Sequence, residues 1–246
     1  MKLSEVAQPT MPPDVSAYTA QLGIQHITTL SASGGLIVNG SVKIPTGHSS
    51  IRFPFQAVSG DFECTFSDIP SLEGSPRTVG GSFRCSDTSI TSLKHAPQTV
   101  GRTFSCNHTS ITSLEHSPQS VSGNFDCTGT RITSLAGVPQ IVGGSLLCAG
   151  THITSLEHAP LTIGGDLICR HSPIASLKGI HKTHRNWKIG GVLDIPSNCT
   201  DIVGLALIDG IKHIRIANLE FDVSDHDPHS FQEQLLDAGL KRQARM

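Results

Sequence analysis

VGGSFRCSDTSITSLKHAPQT, residues 79 to 99, is one copy of a 21-residue word that runs six times without a break from Val58 to Thr183. Val58, Val79, Val100, Val121, Val142 and Ile163 open the copies, and Cys64, Cys85, Cys106, Cys127, Cys148 and Cys169 share one offset. A fixed period of this length means one coil of a solenoid, stacked on its neighbours to bury a continuous core. The expectation is a mostly β, parallel solenoid with few or no outer helices and rungs about 4.8 Å apart.

The slots inside the word are those of a leucine-rich repeat, L-x-L-x-x-N-x-L. Phe83, Cys85, Thr88 and Ile90 fill them in one copy, and Leu146, Cys148, Thr151 and Ile153 in another. The Asn slot instead holds Ser67, Thr88, Thr109, Thr130, Thr151 and Ser172, so a ladder of hydroxyls is expected to bond the backbone of the turn. Phe-x-Cys reads as a short strand with its two named residues inward. Pro76, Pro97, Pro118, Pro139 and Pro160 then force an extended return, and Gly-Gly permits a tight corner. A seventh, degenerate coil follows a five-residue insertion, with Leu193, Ile195 and Asn198 in the slots.

The chain divides into a flexible tail (1–19), an N-terminal β cap (20–57), the repeat solenoid (58–201) and a C-terminal strand-plus-helix cap (202–246). In the exit cap Ser230 to Ala244 reads as a helix after Asp225, Asp227 and Pro228, with Phe231, Leu235, Leu236 and Leu240 on one stripe. With a net charge of −2 there is no electrostatic case for nucleic acid or an anionic membrane. No secretory signal or membrane span is legible. The repeated cysteines occupy an inward slot and include no Cys-x-x-Cys pair, so they read as buried free thiols of a reducing cytoplasm, with no metal or other cofactor.

The word S-L-x-x-x-P-x-x-V-G-G-x-F-x-C, as in Ser92 to Cys106, resembles leucine-rich-repeat-like proteins of tailed bacteriophages. Gly35 to Phe55 and Gly204 to Leu240 are similar to the entry and exit segments of that group. The resemblance implies a viral source and the host cytoplasm as setting, but no reaction.

Three features invite a chemical reading. Cys199-Thr200-Asp201 resembles the C-x-D motif of bacterial leucine-rich-repeat ubiquitin ligases, but only 45 residues follow Asp201, and Cys199 reads as a turn residue. Asp225, His226, Asp227 and His229 are metal-ligand types, but they precede a helix where Asp and Pro are expected anyway. His181 and His184, in the insertion, are weaker still. The column Glu73, Lys94, Glu115, Ala136, Glu157, Lys178 alternates in sign over part of its length and suggests ion-pair ladders on a solvated edge.

The outward strand face is the better binding candidate. Its middle residues Glu63, Arg84, Ser105, Asp126 and Asp194 are polar, whereas Leu147 and Ile168 are not. The expected site is an apolar centre, Leu147 and Ile168, with charged neighbours Asp126, Asp166 and Arg170, and Arg84 further along the face. The bland reading of that patch is contact with the exit cap or with a second copy of the chain, as a homodimer. The functional expectation is therefore a non-enzymatic, protein-binding solenoid that sequesters or blocks a host protein, such as a component of a defence system. The alternative is an accessory structural component of the virion.

Overall fold

The computed structural model describes residues 13–24, 27–30, 35–178 and 180–244. Parallel strands stack as a solenoid of about nine turns, as the period requires. Each coil gives two short strands to two separate sheets, so the fold is a two-sided parallel stack. The first sheet takes the residues just before Gly-Gly, such as Thr78–Val79 and Thr99–Val100. The second takes the Phe-x-Cys side, such as Phe83–Arg84 and Phe104–Ser105. The second sheet corresponds to the expected strand; the first was hidden because only one of its two residues per coil is buried.

The Gly-Gly pairs between the sheets are not in the left-handed region. What they supply is closeness between rungs: a Cβ at Gly101 would meet the carbonyl oxygen of Gly80, and one at Gly164 that of Gly143. The left-handed backbone lies elsewhere. Gly74, His95, His116, Gly137 and His158 form one such column, and Phe66, Asp87, His108, Gly129, Gly150 and His171 another. His and Asp tolerate this conformation better than most residues.

The core is a set of columns. Phe62, Phe83, Phe104 and Phe125 stack with ring centroids 5.5, 5.7 and 5.1 Å apart. Leu146, Leu167 and Leu193 continue the column. The expected hydroxyl ladder is present: Thr88, Thr109 and Thr130 each donate to the carbonyl of the cysteine three residues earlier at 2.7 Å. The expected ion-pair ladder is not. Among the described residues no pair forms within the Glu73–Lys178 column, whose side chains stay solvated because exposed pairs gain too little to fix two long side chains. The order there comes from Ser71, Ser92, Ser113, Ser134, Ser155 and Ser176, whose hydroxyls accept the backbone N–H two residues on.

Both ends carry lids. The entry cap continues both sheets, Leu36–Val38 parallel to Phe55–Val58 and Val42–Lys43 parallel to Phe62–Glu63. An antiparallel strand, Ile27–Leu30, covers the edge of the first sheet. The expected flexible tail is corrected in part: Pro13–Gln21 is a helix, α1, because Val15 and Tyr18 have core to cover, with the Tyr18 ring 5.3 Å from Phe53. The first twelve residues of that tail lie outside the described residues. At the exit, His213–Ile216 extends the second sheet in parallel and Leu219–Asp222 closes it antiparallel. A four-residue helix, α2 (Ile180–Thr183), fills the insertion, and the exit helix is α3, Pro228–Asp237. Asp227 caps α3 by accepting from the N–H of His229 and Ser230, as its sequence signal promised. It ends well short of Ala244, with Gly239 at φ +77° just beyond, and Leu236 is exposed while Phe231 and Leu235 are buried.

Candidate functional site

Strand pairing aligns one outward column along the whole second sheet: Lys43, Glu63, Arg84, Ser105, Asp126, Leu147, Ile168, Asp194, Arg215 and Glu220 are successive register partners. Its ends are charged and paired. Lys43 meets Glu63 at 3.2 Å, and Arg215 meets Glu220 at 2.8 Å. Arg84 turns sideways to Asp61 at 3.1 Å. The Ser82 N–H, with help from Arg84, holds the Asp61 carboxyl below the usual carboxylate range.

Leu147 and Ile168 face each other across adjacent rungs, half-buried, with Asp126 the register partner of Leu147. Arg84 lies three rungs from Leu147 and belongs to the Asp61 pair rather than to the apolar centre. Asp166 is tied into the scaffold: its Oδ1 accepts the Val192 N–H at 2.8 Å. Asp61, Asn124 and Ser145 do the same for the next rung, forming a side-chain ladder beside the column. Asp126 likewise accepts from the Thr128 N–H at 3.0 Å. So the expected rim carboxylates are partly spent on backbone. Ser105 is also less free than an outward slot suggests. It is only 8% exposed, bonded to Ser86 and donating to Asn107.

The residue that sequence reading undervalued is Asp194. It lies next to Ile168 in register and is only 3% exposed. Arg170 and Arg215 approach its Oδ2 at 3.7 and 3.8 Å, too far for hydrogen bonds, and no described residue donates to that oxygen. Burial pushes its pKa up, opposed by the two guanidinium groups. A lone acid inside Val192-Leu193-Asp194-Ile195 was the available signal. Asp194 borders a cavity of about 450 Å³ lined also by Arg170, Pro196, Asn198, Ala217 and Asn218.

The other candidates resolve into structure. The seven cysteines are free and buried. Each of the six in the column points its thiol at a carbonyl of the next rung, as Cys85 does to Ser105 at 3.3 Å. Cys199 is a core residue rather than an accessible turn residue: burial, then Asp201, pushes its thiol up to about 12, the reverse of an activated nucleophile. The Asp201 carboxylate accepts from Ser176 and Thr200. In the Asp225–His229 loop, Asp225 accepts from the Asp227 N–H, Asp227 caps α3 and His229 reaches Glu233. Among the described residues no three metal-ligating side chains gather. His184 packs on Trp187 with ring centroids 4.4 Å apart and serves the insertion. No described helix is long and apolar enough to cross a membrane.

Compared with known proteins, the chain matches no family model, no curated protein and no solved structure.

Proposed function

We propose that this chain is a non-catalytic, protein-binding solenoid whose second-sheet face captures a protein partner at Leu147 and Ile168. The observation that carries the reading is the break in the outward column: two aliphatic side chains meet in register where the rest of the column is polar and largely ion-paired. A desolvated apolar centre with charged residues around it is the usual layout of a binding hot spot. In the setting that the repeat word's resemblance implies, the partner is a host protein, and capture in the host cytoplasm sequesters or blocks it.

A second reading has its own support. Ile141, in a strand of the first sheet, is 64% exposed, and Leu161, just before the next strand of that sheet, is 50% exposed. Two apolar surfaces on opposite sheets suit an accessory virion component that bridges neighbours.

The test is affinity capture from infected cells with the wild type and with Leu147→Glu/Ile168→Lys. Both side chains point away from the core, so the variant should keep its far-ultraviolet circular dichroism and melting temperature. It should lose its main host protein, because hot-spot truncations alone cost about 2 kcal/mol or more. Normal capture by a folded variant would reject the face, and virion proteins as the main catch would favour the second reading.

A further inference from the structure

Beside the first sheet, in the entry half of the solenoid, a groove is lined by side chains that the scaffold leaves unused. It crosses four successive rungs, from Gln56 through Arg77 and Gln98 to Gln119, and has a volume of about 570 Å³. That volume falls among ligand pockets, roughly 300–1,000 Å³. His95 and His116 line it too. Arg77, Gln98, Gln119 and both histidines are exposed, and among the described residues no hydrogen bond or ion pair engages their side chains. On the second sheet, by contrast, Asp61, Asp126 and Asp166 are spent on backbone N–H groups. The histidines also carry a backbone cost. Their φ is +69° at His95 and +67° at His116, in a column that has Gly74 and Gly137 on other rungs. Glycine adopts that conformation without strain, so the two imidazoles are present in spite of the backbone.

The lining decides the chemistry of an occupant. It contains no Asp or Glu: Glu73 and Glu115 adjoin Gly74 and His116 in sequence but do not line the groove. The one guanidinium, without an acid of its own, matches a carboxylate, which arginine holds through two parallel N–H donors. A glutamine amide carries both a carbonyl acceptor and N–H donors, the complement of a peptide unit. The three amides and the guanidinium succeed one another at the rung spacing, about 4.8 Å. Four rungs span about 14 Å, a distance that an extended chain covers with about four residues. Phe55 lines the groove but is buried, so a nucleobase finds no exposed Phe, Tyr or Trp ring to stack on. An extended peptide with an acidic side chain satisfies all of these conditions.

We propose that this groove takes an extended segment of a protein partner carrying an Asp or Glu side chain. The carboxylate accepts from the Arg77 guanidinium, and the peptide groups of the segment pair with the Gln98 and Gln119 amides. His95 and His116 add ring N–H donors for its carbonyls. Recognition of acidic motifs through arginine is a recurrent mode of peptide binding. The groove is a second site, and it does not depend on the reading of the second-sheet face.

The test uses the full chain and short peptides, blocked at both ends, followed by nuclear magnetic resonance. Titration with Gly-Ser-Glu-Ser-Gly should give saturable shifts of the Arg77 Nε–H and of the Gln98 and Gln119 side-chain amides. The same peptide with Gln in place of Glu should bind at least about threefold more weakly, and with Lys more weakly still. Arg77→Gln should lower the affinity of the Glu peptide to that of the Gln peptide. Arg77 is exposed and has no partner among the described residues, so this variant should keep the wild-type melting temperature. Gln98→Ala/Gln119→Ala should weaken the Glu and Gln peptides alike, because the amides meet the peptide backbone. Equal affinity of the wild type for the Glu and Gln peptides would overturn the inference. So would tighter binding of the Lys peptide or of oligothymidylate, or no saturable shift with the Glu peptide. Leu147→Glu/Ile168→Lys should leave the peptide shifts intact, so failure of the second-sheet reading and failure of this one are seen separately.

Discussion

At the scale of single residues, the hydroxyl slot and the outward serine slot are both structural. Thr109 Oγ1 is buried and donates to the Cys106 carbonyl at 2.7 Å. Thr109→Val should therefore cost roughly 1–3 kcal/mol in urea unfolding, because it leaves a buried acceptor unpaired. Ser105→Ala breaks contacts with Ser86 and Asn107 and should cost about 1 kcal/mol, not the near-zero effect of a free surface serine. The thiols give a pH test. Burial pushes Cys64 and Cys199 from the ordinary 9.0 up to about 12, and Cys85, Cys106, Cys127 and Cys148 upward too. A pKa raised by folding stabilises below the unfolded value and is lost as pH rises through the folded one. The melting temperature should therefore fall between pH 9 and pH 12, and a thiol reagent at pH 8 should label none of the seven cysteines until denaturant is added.

At the scale of elements, each strand of the central coils is only two residues long and holds its place through columns rather than through its own length. Phe104 stands between Phe83 and Phe125 at 5.7 and 5.1 Å, so Phe104→Ala opens a gap felt by two neighbouring coils. It should cost about 3–5 kcal/mol by denaturant unfolding. Phe104→Leu should cost much less, because Leu146 and Leu167 already fill the same column further along. The element most easily misread was the exit helix. Its start was legible, since Asp227 and Pro228 are a cap and a first-turn residue. Its end was not, because the apolar stripe runs on through Leu240, whereas the chain turns at Gly239 and leaves Leu236 in solvent.

At the scale of the whole molecule, stability is a sum over coils and their interfaces, so the two lids decide solubility. The Phe231 ring is buried against Phe221 at 5.9 Å, and α3 packs against the 3-10 turn Val203–Leu207 and the strand Leu219–Asp222. Phe231→Asp should detach that lid, expose the last strand edge, and appear as higher oligomers in size-exclusion chromatography while the central coils keep their circular dichroism.

What the sequence by itself determined is the periodic part. An uninterrupted period fixes register, so the parallel stacking, the inward Phe, Cys, Ile and Leu columns and the buried thiols all follow from one word. Leu147 and Ile168 were legible for the same reason, as the two exceptions in an otherwise polar column. The tertiary structure alone decided what depends on neighbouring rungs and on the non-repeating ends. It spent Asp61, Asp126 and Asp166 on backbone N–H groups, placed a helix over the entry coil, and set Asp194 between two arginines at the edge of a cavity. A carboxylate's partners are set by distances across coils, and a repeat tells which residues stack without telling which of their polar atoms the backbone will use.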